Sequence, residues 1–167
     1  NRKEIMKEEL THAYEKATHI LSYATSNLKR EDLLATPGPG LWSLTEVILH
    51  IVDCDLVFSD RIKRVIAEDN PTLMAFDENK WKENLAYKPE NVPASVRLFS
   101  ANREYITQIL DSISEQDLQR TGIHSQAGSL TLQTIIQKAN GHFDHHIKFL
   151  YAKRANIGKP VNEIYTI

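Results

Sequence analysis

Apolar side chains recur at three- and four-residue spacing along four stretches of this chain, and each stretch ends where helix-breaking residues begin. Across residues 3–28 nothing interrupts a helix, and Leu10, Ala13, Ala17, Ile20, Leu21, Ala24 and Leu28 share one face. Residues 29–42 hold Thr36-Pro37-Gly38-Pro39-Gly40, where two prolines remove backbone donors and bias the residues before them away from helix, so a loop is expected. Ser43-Leu44-Thr45-Glu46 reads as a capping box, the Ser43 hydroxyl accepting from the Glu46 backbone while the Glu46 carboxylate reaches back. Trp42 and Val47 are placed as the accompanying hydrophobic staple. A second helix should start there and run to about residue 68, before Asn70-Pro71 stops it.

The link that follows, residues 71–92, is long and offers one short helical candidate at 77–84. Pro93 suits an early helical position, and Val96, Phe99, Ile106, Leu110 and Ile113 give a third helix its stripe. Residues 121–128 read as a second loop. Ser129 or Thr131 can cap a fourth helix with apolar positions from Leu132 to Leu150, ended by Gly158-Lys159-Pro160. Four long amphipathic patterns without an alternating strand predict an all-α four-helix bundle, a single domain over residues 1–167. The long link can travel the length of the bundle, so the second and third helices are expected to be parallel.

Charge and cysteine content narrow the partners and the compartment. Lys and Arg number 20 against 22 Asp and Glu, a net charge of -2, which gives no electrostatic reason to bind nucleic acid or an anionic membrane. No apolar run approaches the roughly 18 residues of a transmembrane helix. The one cysteine, Cys54, excludes an internal disulfide framework and any Cys-x-x-Cys motif and suits a reducing compartment, so a cytoplasmic location is expected. The chain begins at Asn1 rather than Met, which leaves a removed leader open. Nucleotide-binding glycine loops, Gly-x-Ser-x-Gly and His-Glu-x-x-His are all missing, and with them go nucleotide, serine-hydrolase and zincin readings. Bundles of this size pair through exposed apolar stripes, so a homodimer stays open.

Seven histidines carry the suggestive chemistry, and helical phase sorts them. On the fourth helix, His142 and His146 fall on the core face with Ile135, Ala139 and Phe149, while His145 lies at its edge. Side chains four residues apart are neighbours on a helix, so these two imidazoles can converge on one metal ion. On the second helix, His50 sits in the apolar run Leu49-His50-Ile51-Val52 and also faces inward. A lone buried histidine is ordinarily a hydrogen-bonded core residue. Three without partners would cost on the order of 1–3 kcal/mol apiece, whereas one divalent ion satisfies all of them. Spacing alone leaves the metal and packing readings evenly matched. His12, in Glu9-Leu10-Thr11-His12, faces solvent and is no di-iron ligand; His19 and His124 read as surface groups, and Cys54 as a small core thiol.

At this point the residues resemble a known family. Pro39-Gly40-Leu41-Trp42-Ser43-Leu44-Thr45-Glu46-Val47, followed by His50 and Asp53, is similar to the capped second helix of the DinB/YfiT-like metalloprotein superfamily. Pro71 with Phe76-Asp77-Glu78-Asn79-Lys80-Trp81, and the closing Gly141-His142-Phe143-Asp144-His145-His146, resemble further segments of its YfiT-like branch. The resemblance spans about residues 37–150. It implies an up-down-down-up four-helix bundle with one metal ion, nickel or zinc, held by His50, His142 and His146. Asp55 departs from the pattern, because YfiT-like chains can carry a further histidine there.

Two activities follow from such a site. The family label implies metal-dependent hydrolysis of a small-molecule substrate, with water activated on the ion and Asp53 or Glu46 as the base. Glu46 has a competing role in the helix cap, and Asp53 can equally hold a histidine ring in one tautomer. The superfamily also resembles bacterial thiol S-transferases, in which a low-molecular-weight thiol is activated at the metal. Arg61, Arg103 and Lys148 are candidates to grip the carboxylates of such a thiol. A third reading is non-enzymatic: a structural ion or an interaction module, disfavoured because structural zinc usually closes its shell with a fourth protein ligand.

Overall fold

Glu8 and Glu9 occupy the first turn of α1 (Lys7–Ala24), where negative charge is favourable beside the helix N-terminus, and the face from Leu10 to Ala24 is buried. The computed structural model describes residues 6–36 and 41–167; the expected start of the first helix at 3–5 and the Pro-Gly loop at 37–40 lie outside the described residues. α1 ends four residues before Leu28. The Thr25 hydroxyl donates back to the Leu21 carbonyl at 2.8 Å, and Asn27 takes a positive φ of 57°. Part of the expected loop is instead a short helix, α2 (Arg30–Leu34), begun by the Asp32 carboxylate accepting from the Lys29 N–H at 2.7 Å.

The capping box forms as read: the Ser43 hydroxyl accepts from Glu46 N–H at 3.2 Å and the Glu46 carboxylate from Ser43 N–H at 2.7 Å, opening α3 (Leu44–Ala67). Asp77 accepts from the backbones of Asn79 and Lys80 at 3.1 Å and starts α4 (Glu78–Asn84). α5 (Val92–Ser112) carries Pro93 in its first turn. Thr131 caps α6 (Leu132–Asn156), accepting from Thr134 N–H at 3.1 Å.

Strands are what the periodicity does not predict. β1 (Thr72–Leu73), β2 (Thr121–His124) and β3 (Gly128–Thr131) form a sheet in that order, β1 parallel to β2 and β2 antiparallel to β3. The segment expected as a second loop is therefore a hairpin. Such short strands are below the length at which alternation can be read. The sheet packs on the end of α3 through Gly122, where a Cβ would lie 2.9 Å from side-chain atoms of both Leu73 and Val65.

Hydrogen bonds between helices give their directions. Lys7 N–H reaches the Glu115 carboxylate beyond the end of α5, so α1 and α5 are antiparallel. Asn140 donates to the Leu10 carbonyl at 3.3 Å and Arg154 to the Ala24 carbonyl at 2.8 Å, which makes α1 and α6 parallel. Lys153, near the end of α6, donates to the Trp42 carbonyl at the start of α3. Along the chain the long helices run up, down, down, up. Their core has two apolar halves, one around Leu21, Ile48, Phe99 and Ile147, the other around Leu10, Ile62, Ile106 and Ile136. Between them lies a buried polar layer centred on Arg103 and Asp55. No helix among the described residues is long and apolar enough to cross a membrane.

Candidate metal centre

His50 lies two turns into α3, and the capping box at Ser43 sets the helix phase that turns it inward. It is 2% exposed. Across from it, the four-residue spacing of His142 and His146 on α6 brings both rings to the same point. Nε2 of His50 is 3.2 Å from Nε2 of His146 and 3.2 Å from Nε2 of His142. The three ring centroids are separated by 4.4, 4.5 and 5.1 Å. Trp42 meets His50 edge-on at 5.1 Å, and Phe58 packs beside His142 at 5.9 Å, so aromatic carbon walls the cluster on two sides.

Burial governs the ionisation of these rings. It pushes His142 down to about 3 and His146 down to about 4, with the neighbouring imidazoles adding repulsion to the charged form. His50 is lowered by the same desolvation, partly offset by the carboxylates of Glu78 and Asp53. All three rings are therefore neutral near pH 7, with nitrogen lone pairs available.

The surrounding groups fall into distinct places. Ligand atoms of His50, Cys54 and His142 lie within 4.8 Å of one another. The Cys54 sulfur, however, is 3.6 Å from both nitrogens of His50, beside the ring rather than in line with either lone pair. Desolvation pushes its thiol up, away from the thiolate that metals prefer. His145 is exposed and packs edge-on against His146 at 5.0 Å and Phe149 at 4.9 Å, at the margin of the cluster.

Of the carboxylates, Glu46 is engaged in the helix cap and lies 3.7 Å from the Lys82 ammonium. Asp53 accepts a hydrogen bond from the Tyr87 hydroxyl, not from a histidine, and burial raises its carboxyl. Sequence reasoning did not single out Glu78, whose Oε2 is 3.6 Å from Nε2 of His50 while half its side chain is in solvent. Its signal lay in the Phe76-Asp77-Glu78 segment: the Asp77 cap turns Glu78 into the first residue of α4. Tyr87 was missed as well, since only the folded link brings it to Asp53.

The expected grouping of Arg61, Arg103 and Lys148 does not form. Arg103 is 1% exposed at the bundle centre, paired with Asp55 through Nε and Nη2, both at 2.7 Å. Lys148 is exposed, and Arg61 donates to the Met74 carbonyl at 2.7 Å. Asp55, the position expected to depart from the family pattern, is the acid of an internal ion pair. Asp55 also accepts from Asn102 at 2.9 Å, while Arg103 donates to Asn140 and to the Tyr14 carbonyl, each at 3.2 Å.

Comparison with known proteins places these features in context. The family model described as DinB superfamily matches residues 13–150. A protein of Oceanobacillus iheyensis carrying the provisional name metal-dependent hydrolase is 26% identical over 142 residues, 83% of this chain and 80% of its own length. A second from the same organism, similarly named, is 29% identical over 130 residues, 77% of this chain and 74% of its own. Among solved structures, YfiT from Bacillus subtilis, described provisionally as a metal-dependent hydrolase with an unusual four-helix bundle topology, superposes with a TM-score of 0.85 at 21% identity. That match covers 95% of this chain and 93% of YfiT. A DinB-like protein from the same bacterium gives a TM-score of 0.62 at 19% identity, covering 95% and 96%.

Proposed function

The chain belongs to the DinB superfamily, and from that premise we propose that it is a metal-dependent hydrolase acting on a small molecule, with a divalent ion, zinc or nickel, held by His50, His142 and His146. The observation that carries this reading is the 3.2 Å separation of the His50 Nε2 from both other Nε2 atoms. Nitrogens bonded at 2.0–2.1 Å to one ion at tetrahedral angles stand about 3.3–3.4 Å apart. Hydrogen bonding explains the arrangement less well, because three neutral rings meeting through Nε2 cannot all be satisfied by one another's protons. Nitrogen donors with open positions beside them suit zinc or nickel. The names of the Oceanobacillus and Bacillus relatives agree with this reading.

When bound, the ion supplies Lewis-acid chemistry, making a water acidic near neutral pH and polarising a carbonyl. The chain's own residues do the rest. Burial keeps the three imidazoles unprotonated, and Trp42 and Phe58 exclude bulk water from two sides of them. Glu78, solvent-facing and 3.6 Å from His50, is placed to take a proton from a water at that point. Asp53, the other candidate base, is held by Tyr87 and contributes negative potential toward His50.

The test is hydrolysis of a panel of 4-nitrophenyl esters by zinc- or nickel-loaded protein, with and without chelator. Glu78→Gln should retain metal and lose about 10²-fold or more in kcat, and Asp53→Asn should lose less. Transfer of a low-molecular-weight thiol to an electrophile, without ester hydrolysis, would replace the hydrolase by the transferase. Loss of thermal stability on chelation with no turnover of any kind would make the ion structural.

A further inference from the structure

Beside the three histidines lies a cavity of about 310 Å³ with His142 in its wall, a size suited to a small ligand. Its apolar side is built by Phe58, Leu130 and Ile135. The polar groups on its lining are Arg61, His124 and Lys138 in addition to His142, and no carboxylate is among them.

Each of the three is a donor with unused capacity. Arg61 gives one terminal nitrogen to the Met74 carbonyl, yet its Nε is buried with no acceptor, a costly condition that a ligand oxygen would relieve. His124 accepts from the backbones of Gln126 at 3.2 Å and Ala127 at 3.1 Å through Nδ1, so its ring proton is on Nε2, where it is free to donate. Lys138 is exposed and has no carboxylate within 4.0 Å among the described residues. Asp60, one residue before Arg61, is paired with Arg64 at 2.9 Å and lines a neighbouring cavity that Arg61 also borders, not this one. Arg61 also lies over Phe58 at 5.6 Å, and Phe58 packs against His142, so the donors, the apolar wall and the histidine cluster are continuous.

We propose that this cavity binds an anionic small molecule, an oxyanion carried on an apolar body, with the oxyanion on Arg61, His124 and Lys138 and the body against Phe58, Leu130 and Ile135. As a statement about the substrate this rests on the hydrolase reading, since it presents the ligand beside His142; as a statement about binding it stands alone. It gives β2 and β3 a role, because the hairpin supplies His124 and Leu130 to the cavity.

The experiment is calorimetric titration of chelator-treated protein with phenylacetate, phenyl phosphate and the neutral phenylacetamide, in wild type, Arg61→Gln and Lys138→Gln. Working without metal removes direct anion–metal contacts. One or both anions should bind about tenfold more tightly than the amide, and each substitution should remove most of that preference, as expected for one charge-assisted hydrogen bond. Which anion prevails separates a carboxylate from a phosphate ligand. Equal binding of anions and amide, or a preference that survives both substitutions, overturns the proposal. Lys138 is exposed, so its substitution reports even where the Arg61 variant is unstable. Zinc and nickel stoichiometry on the same proteins, reconstituted after the chelator is removed, separates the two readings. Metal bound without anion preference overturns the cavity alone, and anion preference with neither zinc nor nickel bound upholds the cavity while overturning the hydrolase.

Discussion

Asp55→Asn tests how the bundle is held together directly beneath the histidine cluster. Asp55 and Arg103 are 3% and 1% exposed, and the carboxylate receives two guanidinium nitrogens at 2.7 Å and the Asn102 amide at 2.9 Å. Replacing the carboxylate by an amide leaves the guanidinium buried without a counter-charge; its remaining supports are the Tyr14 carbonyl, Asn140 and the face of the Tyr14 ring at 3.8 Å. Removing one partner of such a pair costs about 3–5 kcal/mol. With an unfolding entropy near 0.35 kcal/mol/K for 167 residues, Tm should fall by about 9–14 °C. Circular dichroism melts and urea titrations of metal-free protein measure this. The double change Asp55→Leu with Arg103→Met should cost less than the single one, because no unpaired charge remains. A single variant within about 1 kcal/mol of wild type would refute the reasoning, showing that the guanidinium finds water or another acceptor.

Further expectations follow from individual contacts. Ser43→Ala removes the acceptor for the Glu46 N–H and should cost about 1 kcal/mol, read as a shift in urea midpoint at constant slope. Gly122→Ala forces a Cβ to within 2.9 Å of the Leu73 and Val65 side chains and should cost about 1–3 kcal/mol by the same assay. Burial lowers His142 to about 3 and His146 to about 4, against about 6.5 when unfolded, so the unfolded chain binds more protons below pH 6.5. Metal-free protein should therefore be most secure above pH 6.5 and lose stability as pH falls toward 4, by up to about 1.4 kcal/mol per pH unit for each ring. His142→Gln should flatten that slope between pH 6.5 and 4; an unchanged slope would assign it to other groups.

What could be read from the chain alone was what local chemistry encodes. The box at Ser43 and Glu46 marked the start of α3, and helical phase turned His50, His142 and His146 inward, where the structure brings their rings together. What escaped depended on long-range pairing. Arg103 looks like a surface cation in sequence because arginine is seldom buried; only packing against α3 supplies Asp55. The strands are too short for a period, and the two residues of β1 pair with β2 residues 51 positions away. Glu78 and Tyr87 reach the site because the link between α3 and α5 folds back over it, and no spacing encodes that. The end of the chain is similar: Asp144 accepts from the backbone and hydroxyl of Thr166 at 2.9 and 2.7 Å, pinning the tail along α6.

The most direct test of the central claim is metal stoichiometry by mass spectrometry on untagged protein reconstituted with zinc or nickel, comparing wild type with His50→Ala, His142→Ala and His146→Ala. One ion per chain in wild type, lost in each variant while circular dichroism shows the helices intact, is the predicted result. Full occupancy in any folded variant, or no ion in wild type, would contradict a centre built on these three nitrogens.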